Sequence, residues 1–136
     1  MTHAIDKQPQ AGPVAVGTLG LAGDEQGDLR VHGGPDKAVH CYAMEHYPVW
    51  RAELPDATRL QAPGAFGENL SLEGLDEHGV CIGDRWQIGS VQCEVSQGRQ
   101  PCWKLNDRFK VPDMARRVQD SGRAGWYLRV LQPGQL

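Results

Sequence analysis

Val91-Gln92-Cys93-Glu94-Val95-Ser96, running on into Gln97-Gly98-Arg99-Gln100-Pro101-Cys102-Trp103-Lys104-Leu105, is the stretch from which the rest of the chain is read. Its first six residues alternate apolar and polar, the period of a half-buried strand, and Gly98 breaks that period. Proline is favoured at the first position of a helix because its missing N–H would go unpaired there anyway. Pro101 is therefore expected to open a helical turn, with Cys102 following it. A helix start offers free N–H groups and the positive end of a dipole, both of which favour a thiolate, and Arg99 and Lys104 add positive charge nearby in sequence. Cys102 is thus a candidate nucleophile or soft metal ligand. The alternative is a buried cysteine filling a gap in the core, the commonest fate of a free thiol.

Short runs of the same kind lie on both sides of this stretch. Val80-Cys81-Ile82 and Arg85-Trp86-Gln87-Ile88, joined by Gly83-Asp84, are expected to form a meander with the Val91 strand. Trp126-Tyr127-Leu128-Arg129-Val130-Leu131 alternates cleanly as a last strand, and Val14-Ala15-Val16 is a short first one. Phe66 to Leu72 is a strand with one polar face, carrying Asn69 and Ser71. Only two segments have helical spacing. Met44, Tyr47, Trp50 and Leu54 share one face, with Pro48 tolerable only in a first turn, and Val111 to Val118 is a second helix that Gly122 stops.

The 17 glycines and 9 prolines punctuating these runs favour a mainly β fold, and 136 residues suffice for a single domain spanning 1–136. Hydrophobic residues at 40% and a mean hydropathy of -0.50 exclude a membrane-spanning or disordered chain. A net charge of -3 gives no basic field for a nucleic-acid polymer. The four cysteines include no C-x-x-C pair, so neither a zinc knuckle nor a thioredoxin-like motif is present. Cys41, Cys81 and Cys93 read as small core residues in a reducing, cytoplasmic compartment, and the N-terminal residues lack the apolar stretch of a signal peptide.

Two further segments carry chemistry. Gly23 to Asp28 is a polar loop, most simply a turn. In Val31-His32-Gly33-Gly34-Pro35-Asp36-Lys37-Ala38-Val39-His40 the glycines permit close backbone approach to a ligand beside His32, whereas His40, inside an apolar run, reads as a hydrogen-bonded core histidine.

Gly23-Asp24-Glu25-Gln26, His32-Gly33-Gly34-Pro35-Asp36-Lys37-Ala38, Tyr42 with Glu45-His46-Tyr47, Phe66-Gly67-Glu68-Asn69-Leu70, Ile82-Gly83-Asp84, the Cys102 segment and Gly125-Trp126-Tyr127-Leu128-Arg129-Val130 together resemble the MOSC domain. That module is named for the C-terminus of molybdenum cofactor sulfurase, and the likeness is to its YiiM-like branch. One departure is Gln97-Gly98-Arg99 where the family usually has Gln-Pro-Arg, which loosens the loop without touching the cysteine. The resemblance implies a mixed β-barrel with a few short peripheral helices. It also implies a molybdenum cofactor of the molybdopterin type, with Cys102 as metal ligand or sulfur carrier. Branches of the family are oxidoreductases that reduce N-hydroxylated compounds, hydroxylated purine bases among them, with electrons from a redox partner protein.

A pyridoxal-phosphate association is also implied at family level, because larger members fuse the module to such an enzyme. No lysine here is nominated for a Schiff base. Members of the branch begin earlier and continue into a helical C-terminal extension, so a shortened form or a fragment is expected. A thiolate suits a soft metal, and such a cofactor brings its own dithiolene sulfurs and a phosphate. Arg99, Lys104 and Arg123 are then the candidates to meet the phosphate, and His32, Gly33 and Asn69 to line the pocket. Two other readings stay open: a non-catalytic persulfide carrier or cofactor-binding module, and a barrel fragment without activity of its own.

Overall fold

The computed structural model describes residues 15–17, 20–21 and 37–136, so the polar loop at residues 23–28 and the glycine pair lie outside the described residues. The described chain is mainly β. Its strands are β1 (Ala15–Gly17), β2 (Gly20–Leu21), β3 (Val39–Ala43), β4 (Leu70–Leu72), β5 (Arg85–Ile88), β6 (Val91–Gly98), β7 (Trp126–Gln132) and β8 (Gly134–Gln135). The helices are α1 (His46–Glu53), α2 (Lys104–Phe109) and α3 (Met114–Ser121). A five-stranded sheet of order β4-β3-β7-β6-β5 curls as half a barrel, and a three-stranded sheet of order β2-β1-β8 stands beside it. Every pairing is antiparallel except β3 with β4. That parallel pair needs a crossover, which α1 provides. No helix among the described residues is long and apolar enough to cross a membrane.

The sheet buries side chains on both faces, as all five residues of β3 being buried already requires. Because successive side chains alternate, Val39 and Cys41 face one way and His40 and Tyr42 the other. On the first face Val39, Cys41, Val91, Cys93, Val95, Trp126, Leu128 and Val130 pack together, with Val16 of β1 laid against them. On the second face Tyr42 joins Tyr47 and Trp50 of α1, Phe66, Leu105 and Phe109 of α2, and Met114 and Val118 of α3. The helices therefore cover only the second face. Pro48 falls in the first turn of α1, where its missing donor breaks no hydrogen bond.

Three expected elements differ. Of Phe66 to Leu72 only Leu70–Leu72 is strand, because the Phe66 N–H bonds the Glu68 side chain and the residues before Leu70 form a loop. Val80-Cys81-Ile82 is a turn, because the Cys81 N–H donates to Asp84 Oδ2 (2.9 Å) and Gly83 sits at φ +94, a local alternative to ladder pairing. Cys81 is consequently exposed rather than a core residue, and Ile82 is 74% exposed. The second helix starts at Met114, not Val111. Asn106 Oδ1 reaches across from α2 to accept the Ala115 N–H (2.7 Å), pairing one of the donors that a helix start leaves open. The helix ends as expected, with Gly122 in the left-handed conformation at its C-cap.

Gly125, immediately before β7, is a point of close backbone approach. Its φ is +84, and a Cβ there would lie 2.5 Å from the Cys41 carbonyl oxygen and 2.7 Å from His40 Nε2. The Gly125 N–H donates to Glu77 Oε2 (2.8 Å), and His46 Nε2 lies 2.5 Å from Glu77 Oε1. Burial alone would raise the Glu77 carboxyl, but the hydrogen bonds from His46 and from backbone N–H groups outweigh it and hold it below its ordinary value. Gly125→Ala is expected to cost about 2–4 kcal/mol in denaturant unfolding, from strain and overpacking together. Glu77→Gln is expected to cost about 1–3 kcal/mol at neutral pH. Because the folded pKa is depressed, the wild-type advantage is complete above the unfolded carboxyl pKa and disappears as pH falls through the folded one. Unfolding curves of both proteins across the acid range check this.

Candidate functional site

The site is built on the loop between α1 and β4. Glu68 is only 3% exposed, and its carboxyl gathers three donors: the Tyr47 hydroxyl (2.5 Å), the Ser71 hydroxyl (3.0 Å) and the Phe66 N–H (3.1 Å). A buried carboxyl needs such partners, and here they fold the loop back on itself. The carbonyls of Ala65 and Phe66 are thereby turned toward two arginines. Arg108 Nε donates to Ala65 (2.8 Å) and Arg99 Nη1 to Phe66 (2.6 Å). Arg99 is itself 9% exposed, a rare degree of burial for an arginine and one that requires hydrogen-bond partners.

Across the sheet a row of residues shares the helix-facing side. Asn69, His40, Tyr127 and Gln97 stand abreast from the β4 end to β6. Tyr127 pairs in register with both His40 and Gln97, and Asn69 exchanges two 2.8 Å hydrogen bonds with the His40 backbone. The His40 and Tyr127 rings lie 5.1 Å apart, and Lys37 Nζ is 5.7 Å from the Tyr127 ring centroid. Arg99, two residues beyond Gln97, hydrogen-bonds the Tyr127 side chain, and Cys102 is within electrostatic reach of the same hydroxyl. Burial pushes the Tyr127 hydroxyl up, Arg99 pulls it down, and a negative charge on Cys102 raises it.

Cys102 is half-buried in the segment between β6 and α2. Its carbonyl accepts the Leu105 N–H (3.0 Å), so it stands at the mouth of the helix, although regular helix begins at Lys104 rather than at Pro101. Lys104 is half-buried on the first turn of α2. Of the residues selected from sequence, the structure thus brings together Cys102 and Arg99, with Lys104 adjoining and Asn69 at the edge of the row. It sends Arg123 elsewhere: the guanidinium lies 4.0 Å above the Trp50 ring and holds both Glu53 oxygens, at 2.9 and 3.0 Å. Those contacts give Arg123 a packing role against α1, and it is not carried into the site. His32 and Gly33 lie outside the described residues.

Tyr127 and Lys37 were missed. Alternation along Trp126-Tyr127-Leu128-Arg129-Val130 does set Tyr127 apart from its apolar neighbours, and that is the signal that marks it. A separate cavity of about 700 Å³, lined by residues 53–59 and 108–111, touches neither Cys102 nor Arg99.

Residues 28–136 match the model of the MOSC domain. The chain belongs to the MOSC domain family. This MOSC domain is 47% identical over all of its length to a protein named Reductase from Gibberella moniliformis, and 44% identical over 98% of its length to Protein YiiM from Escherichia coli. The crystal structure of the Escherichia coli YiiM superposes with a TM-score of 0.81 at 41% identity, over 92% of this chain and 58% of that one. The YiiM from Geobacillus stearothermophilus does so at 0.82 and 40% identity, over 97% of this chain and 60% of that one. The chain spans 24% of the length of the fungal relative and 59% of that of Escherichia coli YiiM.

The four thiols divide cleanly. Burial, and then negative charge on Cys93 and Glu68, pushes the Cys41 thiol up; burial likewise raises that of Cys93. In pulsed alkylation of the native protein read by mass spectrometry, Cys81 and Cys102 are expected to label first. Cys41 and Cys93 label only on unfolding. Rapid native labelling of Cys41 would contradict the packing described.

Proposed function

We propose that this MOSC domain binds a molybdenum–pterin cofactor through the Cys102 sulfur and forms the reducing centre of an oxidoreductase for N-hydroxylated small molecules, purine bases among them. One observation carries the reading: a buried arginine, fixed by the Phe66 carbonyl, stands with Tyr127 close to a half-buried thiol at the end of the sheet. A fixed cation next to a soft donor suits an anionic, sulfur-ligated metal group.

The donor set fits. Among the described residues no three His, Cys, Asp or Glu side chains converge on a metal position, so a bare ion finds no cage there. A metal that arrives with its own sulfurs needs only one thiolate from the protein. Cys102 would hold the metal, Arg99, Lys104 and Lys37 would meet the phosphate, and Asn69, His32 and Gly33 would line the pterin side. When bound, the group supplies redox chemistry, while Arg99 orients the anion and the aromatic packing around Phe66 keeps water from its flank. A redox partner protein supplies the electrons, and a reducing cytoplasmic setting suits the four free cysteines. The name of the fungal relative supports the reductase class.

Wild type, Cys102→Ser and Arg99→Ala, expressed in a host that makes the cofactor, test the proposal. Serine keeps the shape but replaces a soft ligand by a hard hydroxyl, so Cys102→Ser should melt like wild type and carry no molybdenum. Arg99→Ala should carry a reduced amount, since it loses one charge-assisted contact worth about 1.5–3 kcal/mol. Equal molybdenum in wild type and Cys102→Ser would refute the ligand assignment. Molybdenum absent from folded wild type, with persulfide found on Cys102, would instead establish the sulfur carrier.

A further inference from the structure

The cavity of about 700 Å³ lies where α1 and α2 end, away from Cys102, and no role described so far uses it. Its floor is apolar, with Leu54, Ala57, Phe109 and Val111 belonging to or packed against the helix-side core. Its walls carry the cations Arg59, Arg108 and Lys110 against the acids Glu53 and Asp56. Arg123 already holds both Glu53 oxygens from outside the cavity, at 2.9 and 3.0 Å, so Asp56 alone is left to balance three cations. The lining therefore keeps a surplus of two positive charges. One of them is fixed in place, since Arg108 Nε donates to the Ala65 carbonyl (2.8 Å).

Lys110 is the informative residue of the lining. It stands at the C-cap of α2 with φ 57 and ψ 36, and among the described residues it is the one non-glycine with a positive φ. At the corresponding position α3 has Gly122, the residue that this conformation favours. The lysine side chain is not needed to close the helix. The Lys110 N–H reaches the Asn106 and Asp107 carbonyls, and the Val111 N–H donates to that of Asn106 (3.1 Å). Among the described residues its ammonium has no hydrogen-bond or ion-pair partner. A cation kept against its backbone preference on the wall of a cavity, and left unpaired there, suits a site that receives an anion. We propose that this cavity binds a small organic phosphate, whose apolar body rests on Ala57 and Phe109 and whose phosphate is met by Arg59, Arg108 and Lys110. The volume suits a ligand of nucleotide size. A phosphate monoester carries about two negative charges at neutral pH, which match the surplus that a monocarboxylate would leave half unmet. The site stands apart from Cys102 and does not rest on the reductase reading.

Adenosine 5′-monophosphate is the probe, followed by the amide resonances of the isotope-labelled protein, with adenosine and inorganic phosphate titrated alongside. The nucleotide should give saturable shifts at Ala57, Thr58, Lys110 and Val111, and adenosine and phosphate should each bind at least roughly tenfold more weakly. No saturation at millimolar nucleotide, or shifts centred elsewhere, would overturn the proposal. Phosphate binding as tightly as the nucleotide would overturn the organic ligand, since only the cations would then be engaged. Two variants test the charges. Lys110→Gly should melt no lower than wild type, because glycine takes the left-handed conformation freely, and should bind the nucleotide roughly tenfold more weakly. Asp56→Asn removes the acid left facing the phosphate and should tighten binding severalfold. Equal affinity in all three proteins would overturn the assignment of the cations. A lower melting temperature in Lys110→Gly would mean that the lysine is kept for packing, and would overturn it likewise.

Discussion

Phe66 is the residue on which the site depends, because every group it has is engaged. Its N–H is taken by Glu68, its carbonyl by Arg99, and its ring stacks on Tyr42 at 4.3 Å with Phe109 at 4.9 Å behind it. A residue held at its N–H on one side of Cα and at its carbonyl on the other has little freedom in either backbone dihedral, and a guanidinium bonded to it is held as well. The loop thus converts the hydrogen-bonding demand of one buried carboxyl, Glu68, into the orientation of one buried cation, Arg99. Few buried polar groups can be left unsatisfied, so the two demands meet economically in a single residue.

The sheet contributes the other half. Its first face is closed by apolar packing, with Val16 of β1 laid against it. The second face is apolar only where the helices cover it, around Tyr42, and carries Asn69, His40, Tyr127 and Gln97 further along. Chemistry is placed where the helical cover ends. The segment after β6 returns past this edge, and Arg99 stays tied to the sheet through its N–H to the Gly125 carbonyl (3.1 Å). The close approach at Gly125 is what allows β7 to start there.

Much of this was legible in the sequence. Alternation marked β6 and β7, helical spacing of Tyr47 and Trp50 marked α1, and Gly122 marked the end of α3. The nearness of Arg99 to Cys102 is a matter of three residues of chain and needed no structure. What failed to show were facts set by distant partners. Cys81 looked apolar-flanked, but Asp84 bends its segment into a turn. Arg123 looked like a free cation, but Glu53 of α1 takes it. Asn69 looked like a pocket residue, yet its side chain is spent in part on the His40 backbone, an arrangement created by a parallel pairing that no local pattern announces. Tyr127 joins the site only through register, since it reaches Arg99 across β6 and β7 from the far side of two helices. Long-range pairing of this kind leaves only a faint trace in composition or period.

The central claim is that Glu68 fixes Arg99 through the Phe66 backbone. A double-mutant cycle on Glu68→Gln and Arg99→Gln, read by denaturant unfolding at neutral pH, measures that coupling directly. The two side chains hold the same residue, Phe66, by its N–H and by its carbonyl, so the double variant should lose less stability than the sum of the singles, with a coupling of about 0.5–3 kcal/mol. Losses that add to within about 0.3–0.5 kcal/mol would mean that the two act independently, and would contradict the account.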